Sequence, residues 1–280
     1  MGYALLAPSL FGVLAFLLLP MLVVAWLSLH RWDLLGPISY VGLDNWRSVL
    51  TDPVFGNSLL VTLGFIALVV PTQMALGLVA AALLARELPG SGVFRTLYVL
   101  PWVCAPLAIA VLWRWILAPT DGAVATVLGR QIDWLTDPGL ALPVVSAVTV
   151  WSGVGYTTLF FVAGMLAIPP QVHAAATIDG ASSWQRFWRI TLPMMRPTLF
   201  FVAVTGVISA AQVFDTVYAL TGGGPQHRTD LVAHRIYAEA FGAAAIGRAA
   251  VMALVLFVIL VGITVAQHLY FRRRISYDLT

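Results

Sequence analysis

Apolar residues in this chain do not alternate with polar ones; they run on in long blocks separated by short polar segments. Six blocks, at roughly 3–29, 57–85, 96–117, 140–168, 197–220 and 249–271, stand out. A helix rising 1.5 Å per residue needs about 20 apolar residues to cross a hydrocarbon core about 30 Å thick. Each block meets or approaches that length, and only two charges, Arg114 and Asp215, fall inside them. The pattern predicts an all-α, polytopic integral membrane protein: a single domain over 1–280 with six transmembrane helices. The first block lacks a basic leader and is too long for a cleaved signal peptide, so it reads as a retained anchor. Pro20, Pro71, Pro101 and Pro106 predict kinks, which membrane helices tolerate when neighbours re-satisfy the freed backbone groups.

Orientation follows from arginine density, because basic residues resist translocation whereas carboxylates matter little. Segments 86–95, 169–196 and 272–280 hold Arg86, Arg95, Arg186, Arg189, Arg196, Arg272, Arg273 and Arg274. Segments 30–56, 114–138 and 221–248 are longer, hold seven arginines and carry eight carboxylates, among them Asp33, Asp121, Asp133, Asp137 and Glu239. The denser set is expected in the cytoplasm, with both termini inside. Trp26, Trp32, Trp46, Trp102, Trp113, Trp115, Trp134 and Trp151 cluster near the proposed span ends, the depth amphipathic rings prefer.

Composition agrees and excludes several chemistries. The chain is 60% hydrophobic and only 10% charged, against about 25% charged in an ordinary soluble domain. A net charge of +3 is too weak for gripping nucleic acid. All 15 basic residues are arginine, so neither a P-loop nor a Schiff-base lysine exists. Cys104 stands alone, and His30, His173, His227, His234 and His268 lack metal-ligand spacing, so no metal site is expected.

The inward-facing loop 169–196 is the most patterned of the polar segments. Ala174, Ala175 and Ala176 open a helix-favouring run that breaks at Asp179-Gly180, where glycine can adopt the left-handed conformation. Ser182 and Gln185 have capping-box spacing for a second helix, and Pro193 is expected to end it. In that helix Trp184, Phe187, Trp188 and Thr191 share a face, with Arg186 and Arg189 elsewhere. Two readings fit such a pattern: an interfacial helix lying on membrane lipid, or a knob that docks a cytoplasmic partner.

The spacing Ala175-Ala176, Gly180, and then Ile190-Thr191-Leu192-Pro193 resembles the EAA loop of ABC importer permeases. Ile178-Asp179-Gly180-Ala181-Ser182, Trp184, Phe187 and Arg196-Pro197 match in particular the binding-protein-dependent carbohydrate-uptake family, of maltose and glycerol-phosphate type. Further matching stretches are Val41–Trp46, Phe94–Leu97, Leu100–Trp102, Leu112–Trp115, and Gln212–Asp215 followed by Tyr218 and Leu220–Pro225. The motif's leading Glu is Ala174 here, so whatever salt bridge that carboxylate makes to the ATPase in relatives is either missing or supplied otherwise. The resemblance implies a type I importer permease fold in a bacterial cytoplasmic (inner) membrane. It also implies a second six-span permease, two copies of an ATPase subunit and an extracytoplasmic solute-binding protein as partners. ATP and Mg would be held by the ATPase, and this chain would carry no cofactor and perform no covalent chemistry.

A solute path calls for hydrogen-bonding groups and aromatic faces at bilayer depth. The fifth block supplies Thr205, Ser209, Gln212 and Thr216 at helical spacing, flanked by Asp215 and Tyr218. Such hydroxyls also commonly bond back to their own helix. Arg114 is a candidate for pairing with Asp215. In the fourth block, Gly153 and Gly155 suit close packing, while Trp151 and Tyr156 are candidates for solute contact. The rival reading is an ion-coupled secondary transporter built on Asp215; an intramembrane hydrolase would need a nucleophile and base at depth, and no histidine stands near a candidate serine. No feature selects one solute among sugars, polyols, amino sugars and glycerol-phosphate compounds.

Overall fold

The computed structural model describes residues 2–85 and 91–272. Arg86, Arg273 and Arg274 therefore lie outside the described residues. Among the described residues the regular structure is helical, apart from a two-residue ladder pairing His30–Arg31 (β1) antiparallel with Ser39–Tyr40 (β2). The first block folds as α1 (Gly2–Val13), a π-helical turn at Leu14–Leu18, and α2 (Leu19–Leu27). A short helix, α3 (Asp44–Leu50), precedes the long α4 (Pro53–Leu84). Local signals start α4: Asp52 accepts a hydrogen bond from the Val54 amide at 2.9 Å, and Pro53 takes the first position, where its missing N–H costs nothing.

The third block is not one helix. α5 (Ser91–Val103) and α6 (Pro106–Ile116) meet at 94°. Pro106 accounts for the corner, because it forces Ala105 into an extended conformation (φ −58°, ψ 125°) and so stops α5. The connection through α7 (Ala123–Leu128) leads to α8 (Ala141–Leu166), an unbroken helix. Glycines on α8 let neighbours approach: a Cβ at Gly155 would collide with the Tyr98 carbonyl of α5, and one at Gly153 would meet the Gln73 amide of α4. Close backbone approach is how membrane helices gain packing without a hydrophobic driving force.

Loop 169–196 contains α9 (Pro170–Ile178), α10 (Ser183–Arg186), a π turn at Phe187–Thr191 and α11 (Leu192–Met194). The fifth block then departs from the single helix expected over 197–220. α12 (Arg196–Ala211) stops at Gln212, and α13 (Asp215–Leu220) begins after the irregular Val213-Phe214. α14 (Val232–Tyr237), a third π turn at Ala238–Gly242 and the final span α15 (Ile246–Arg272) complete the fold.

Three apolar clusters divide the bundle along its length. The middle one joins Phe65 and Val69 of α4, Ile109 of α6, Val145 of α8 and Val217 of α13. At one end Val49, Phe55, Val232, Val251 and Met252 pack together. At the opposite end Ala81, Phe161, Ile168, Met195 and Val202 form the third, directly above loop 169–196. No residue of Leu6–Leu27 is buried within this chain, so that apolar surface is left for lipid or another subunit to cover.

Candidate functional site

A cavity of about 330 Å³ opens where the broken helices meet the unbroken ones. α4 contributes Val69 and Gln73, the α5–α6 corner contributes Trp102 and Pro106, and α8 contributes Thr149, Ser152, Gly153, Tyr156 and Thr157. α12 adds Val202, Thr205, Gly206, Ser209 and Ala210, with Val213 and Thr216 supplied by the break in the fifth block and the start of α13. Both breaks thus border this space, and irregular backbone at membrane depth is tolerated where it lines a cavity.

Some of the polar groups on the wall are tied to partners within the protein and others are not. Gln73 Nε2 donates to Thr157 Oγ1 at 2.7 Å and to the Gly153 carbonyl at 3.2 Å, tying α4 to α8. Thr149 and Thr205 bond back to the Val145 and Phe201 carbonyls at 2.9 and 2.8 Å, the structural role such hydroxyls commonly take. Ser209, Thr216 and the Tyr156 hydroxyl have no side-chain hydrogen bond among the described residues, and so face the cavity with unused donors and acceptors. Trp102 stacks on Tyr156 with ring centroids 4.6 Å apart and planes 19° from parallel.

Of the residues singled out in the sequence, the structure brings Ser209, Thr216 and Tyr156 together here. The cavity wall does not include Gln212, Asp215, Tyr218, Trp151 or Arg114. The break at Gln212 ends the helical register that had put Gln212 on the same stripe as Ser209. Trp151 instead meets Trp113 edge-on at 5.4 Å. Tyr218 is exposed and stacks on Phe214. Arg114 does not pair with Asp215; its Nη1 lies 3.4 Å from the Ala219 carbonyl, bracing α6 against α13. Asp215 heads α13, where a carboxylate suits the positive end of a helix.

Sequence reasoning missed Gln73, Trp102 and Thr149 as neighbours of the stripe, since they come from α4, α5 and α8 and not from the fifth block. It also missed a charged cluster at the end of the bundle that holds α14. Asp230 is 1% exposed and is reached from several sides. His234 Nδ1 lies 2.8 Å from Oδ1, while Arg235 and Ser58 Oγ, the latter at 3.2 Å, donate to Oδ2. His227 Nδ1 is 3.5 Å from Oδ2 and accepts from Arg235 Nη2 at 3.1 Å. Burial pushes the Asp230 carboxyl upward, but the His234 hydrogen bond and the Arg235 charge outweigh it and hold the group below its ordinary range. A carboxylate only accepts, so His234 Nδ1 carries the proton it shares with Asp230. The spacing His227, Asp230, His234, Arg235 was the available signal. Beside it, Arg248 bridges Asp52 at 2.8 Å and Glu239, pinning the start of α15 to the start of α4.

At the opposite end the loop corner forms as its sequence dictates. Gly180 has φ +76°, the Ala181 amide donates to the Ala176 carbonyl at 2.9 Å, and the Gly180 amide to Thr177 at 3.1 Å, which together make a Schellman closure. Ser182 and Gln185 form the capping box. Arg186 clasps the corner, its Nη1 donating to Thr177 Oγ1 at 2.7 Å across the turn. One expectation fails here: Thr191 does not share the aromatic face. The π turn over Phe187–Thr191 inserts an extra residue, so Thr191 turns into the core while Trp184 (70%) and Trp188 (49%) stay exposed. Nor does Pro193 end the segment; the helix runs through Met194, and α12 starts two residues on, after a 67° bend. Ala174, Ala175 and Asp179 are exposed, Ala181, Phe187, Ile190, Leu192 and Pro193 half-buried, and Ala176 buried.

The model of the family described as "binding-protein-dependent transport system inner membrane component" matches residues 73–276, including the loop and all the walls just described except part of α4. The chain belongs to this family. Over 280 residues the permease is 35% identical to the sn-glycerol-3-phosphate transport system permease protein UgpA of Agrobacterium fabrum (strain C58 / ATCC 33970), with 98% of this chain and 96% of that one covered. It is 36% identical to the trehalose/maltose transport system permease protein MalF of Thermococcus litoralis over 230 residues, 80% of this chain and 78% of the relative. Its fold superposes on a subunit of a solved bacterial ABC transporter that imports the acidic polysaccharide alginate, with a TM-score of 0.85 at 23% identity, covering 98% of this chain and 96% of that one. The permease is thus a multi-pass membrane subunit of a binding-protein-dependent transport system, and the rival ion-coupled carrier is left without support.

Proposed function

We propose that this permease forms one half of the solute path of an ATP-driven importer for a sugar or sugar-like solute. It pairs with a second six-span permease; two copies of an ATPase subunit bind below, and an extracytoplasmic solute-binding protein delivers from above. ATP and Mg belong to the ATPase chains, and this chain holds no cofactor. The observation that carries the reading is the cavity at the two helix breaks, where Ser209, Thr216 and Tyr156 offer uncommitted hydroxyls beside a stacked aromatic pair. Sugars are recognised by such groups, hydroxyl to hydroxyl and apolar ring face to aromatic face. The relatives that carry glycerol phosphate, trehalose and maltose support the solute class.

The exposed Trp184 and Trp188, set on the rigid Gly180 corner, form the surface on which the ATPase docks. On this reading loop 169–196 and both termini lie on the cytoplasmic side of a bacterial inner membrane, the side the arginine count favours. The packing of segment 30–56 and the adjoining Asn57 against segment 221–248, through Arg248–Asp52 and Asn57 Nδ2 donating to the His227 carbonyl at 3.0 Å, supports their sharing the other side. The test is uptake by the complete complex in sealed vesicles: it should require ATP and persist when the proton gradient is collapsed. Loss of uptake with the gradient while ATP stays high would refute the reading, and labelling of a cysteine at position 182 by an impermeant reagent outside intact cells would refute the topology.

A further inference from the structure

We infer that the path selects an uncharged carbohydrate and discriminates against phosphate-bearing solutes, although the relative 35% identical over nearly the whole chain carries the name of a glycerol-phosphate permease. This rests on the function proposed above and sharpens it at the same cavity.

Among the described residues, the cavity wall holds no arginine, histidine, aspartate or glutamate; its polar groups are hydroxyls and the Gln73 amide. A phosphate removed from water requires charge-assisted donors, typically a guanidinium fork, and a neutral hydroxyl wall cannot replace its hydration. The embedded cation Arg114 does not supply them, because it stands off the wall with its Nη1 on the Ala219 carbonyl. The ionisable group nearest in sequence to the wall is Asp215, beside the lining residue Thr216, and its charge has the sign that repels an anion. Two helix starts reach the cavity, that of α6 at Pro106 and that of the short α13 at Thr216. Pro106 has no N–H to donate, α13 carries the Asp215 carboxyl as its first residue, and a helix end amounts to about half a charge, enough to orient a hydroxyl or ring oxygen but not to replace a guanidinium.

What the wall offers instead fits a neutral ring. Trp102 is half exposed and stacked on Tyr156, so its outer face is a preorganised apolar platform. Ring contacts continue from Tyr156 to Phe160 at 4.8 Å and from Phe160 to Phe201 at 5.1 Å, extending the aromatic surface along α8 and α12. A pyranose places its C–H face on such a platform and its hydroxyl rim on Ser209, Thr216 and Tyr156.

The experiment uses the complete complex with its binding protein in lipid nanodiscs. ATP hydrolysis is measured with a pool of neutral mono- and disaccharides, including trehalose and maltose, and separately with sn-glycerol 3-phosphate and glucose 6-phosphate. The neutral pool should stimulate hydrolysis and the phosphate esters should not. Stimulation by the phosphate esters, alone or alongside the neutral pool, overturns the inference while leaving the importer reading intact; stimulation by neither pool overturns the inference as well, and the importer reading falls separately if uptake does not require ATP. To place the selectivity in this cavity and not in the unaltered binding protein, Trp102→Ala should raise the half-saturating neutral sugar by about tenfold, and Trp102→Tyr, which keeps a ring, should restore most of it. Thr216→Val, a nearly isosteric change, should weaken the response in the same direction if the Trp102→Ala complex does not assemble. An unchanged response in both Trp102→Ala and Thr216→Val would overturn the assignment of the site.

Discussion

Replacing Asp230 by Asn removes one charge from a site built around it. The amide keeps the shape and still accepts from Ser58, but Arg235 and His234, with side chains only 18% and 13% exposed, lose their counter-charge. Breaking a buried ion pair by deleting one partner costs about 3–5 kcal/mol, because the surviving charge stays desolvated. Arg235 keeps some contact with water and the His227 ring, which favours the lower end, about 3 kcal/mol. At about 2–4 °C per kcal/mol for large domains, the midpoint should fall by roughly 6–12 °C.

Thermal unfolding of the purified complex, followed by loss of native assembly in detergent, measures this directly. A second change makes the result specific: Asp230→Asn combined with Arg235→Leu should recover part of the loss, since no unpaired guanidinium remains. The pH dependence carries a sign. Because the folded Asp230 pKa lies below its unfolded value, its contribution is fully present above the ordinary carboxylate range, about 4, and is lost as pH falls through the lowered folded value. The gap between wild type and variant should therefore hold down to about pH 5 and close only in stronger acid. A midpoint unchanged within 1–2 °C at neutral pH, an estimate well below the expected shift, would refute the claim that this cluster holds segment 221–248 in place.

Three further outcomes are expected. Gly180→Val should reduce ATPase co-purification and solute-stimulated hydrolysis while membrane insertion persists: nothing lies within 4 Å of a Cβ there, so the cost is backbone strain at φ +76°, about 1–2 kcal/mol. Asp215→Asn should leave the complex assembled, since its side chain makes no hydrogen bond among the described residues, yet lower uptake by about tenfold if charge at the head of α13 serves transport; full uptake would make the residue structural. Gly155→Ala should destabilise the bundle by about 1–3 kcal/mol, read as a lower midpoint, because the added methyl collides with the Tyr98 carbonyl and the two helices must separate.

What could be read from the chain was whatever short-range chemistry decides. Long apolar blocks and the Gly180–Gln185 corner each depend on residues within a few positions, and the structure forms the corner with the partners its spacing implied. The break after Ala211 was not legible, because Ala-Ala-Gln-Val-Phe contains neither Pro nor Gly; tertiary packing of Val213 and Val217 into the middle cluster ends the helix there. The π turn at Phe187–Thr191 was equally hidden, since a heptad-style reading assumes one register throughout. The Asp230 cluster joins Ser58 to a residue 172 positions away, and the cavity draws its wall from six helices. Pairings at that range are written in no local pattern.

The placement of the breaks bears on how loop and path communicate. Met195, 1% exposed, fixes the junction between α11 and α12 in the lower cluster with Ala81, Phe161 and Ile168. A shift of the corner is therefore delivered to α12 as a whole, without being absorbed at that junction. α12 has 16 residues, so it spans about 24 Å and carries the displacement to Ser209 and Ala210 on the cavity wall. Its contacts permit sliding: Gly164 faces Thr198 and Gly206 faces Val70, small residues whose neighbours are aliphatic or short. Beyond Ala211 the rod ends, and the irregular Gln212–Phe214 segment is where the motion can be taken up, since hinges are a few element-terminal residues that absorb backbone change. α13 stays with α6 through Arg114 and Ala219. The proposed alternating access thus moves Ser209 relative to Thr216, the two uncommitted hydroxyls on opposite sides of the break. A continuous fifth helix would have moved both together and kept the spacing between these two hydroxyls fixed.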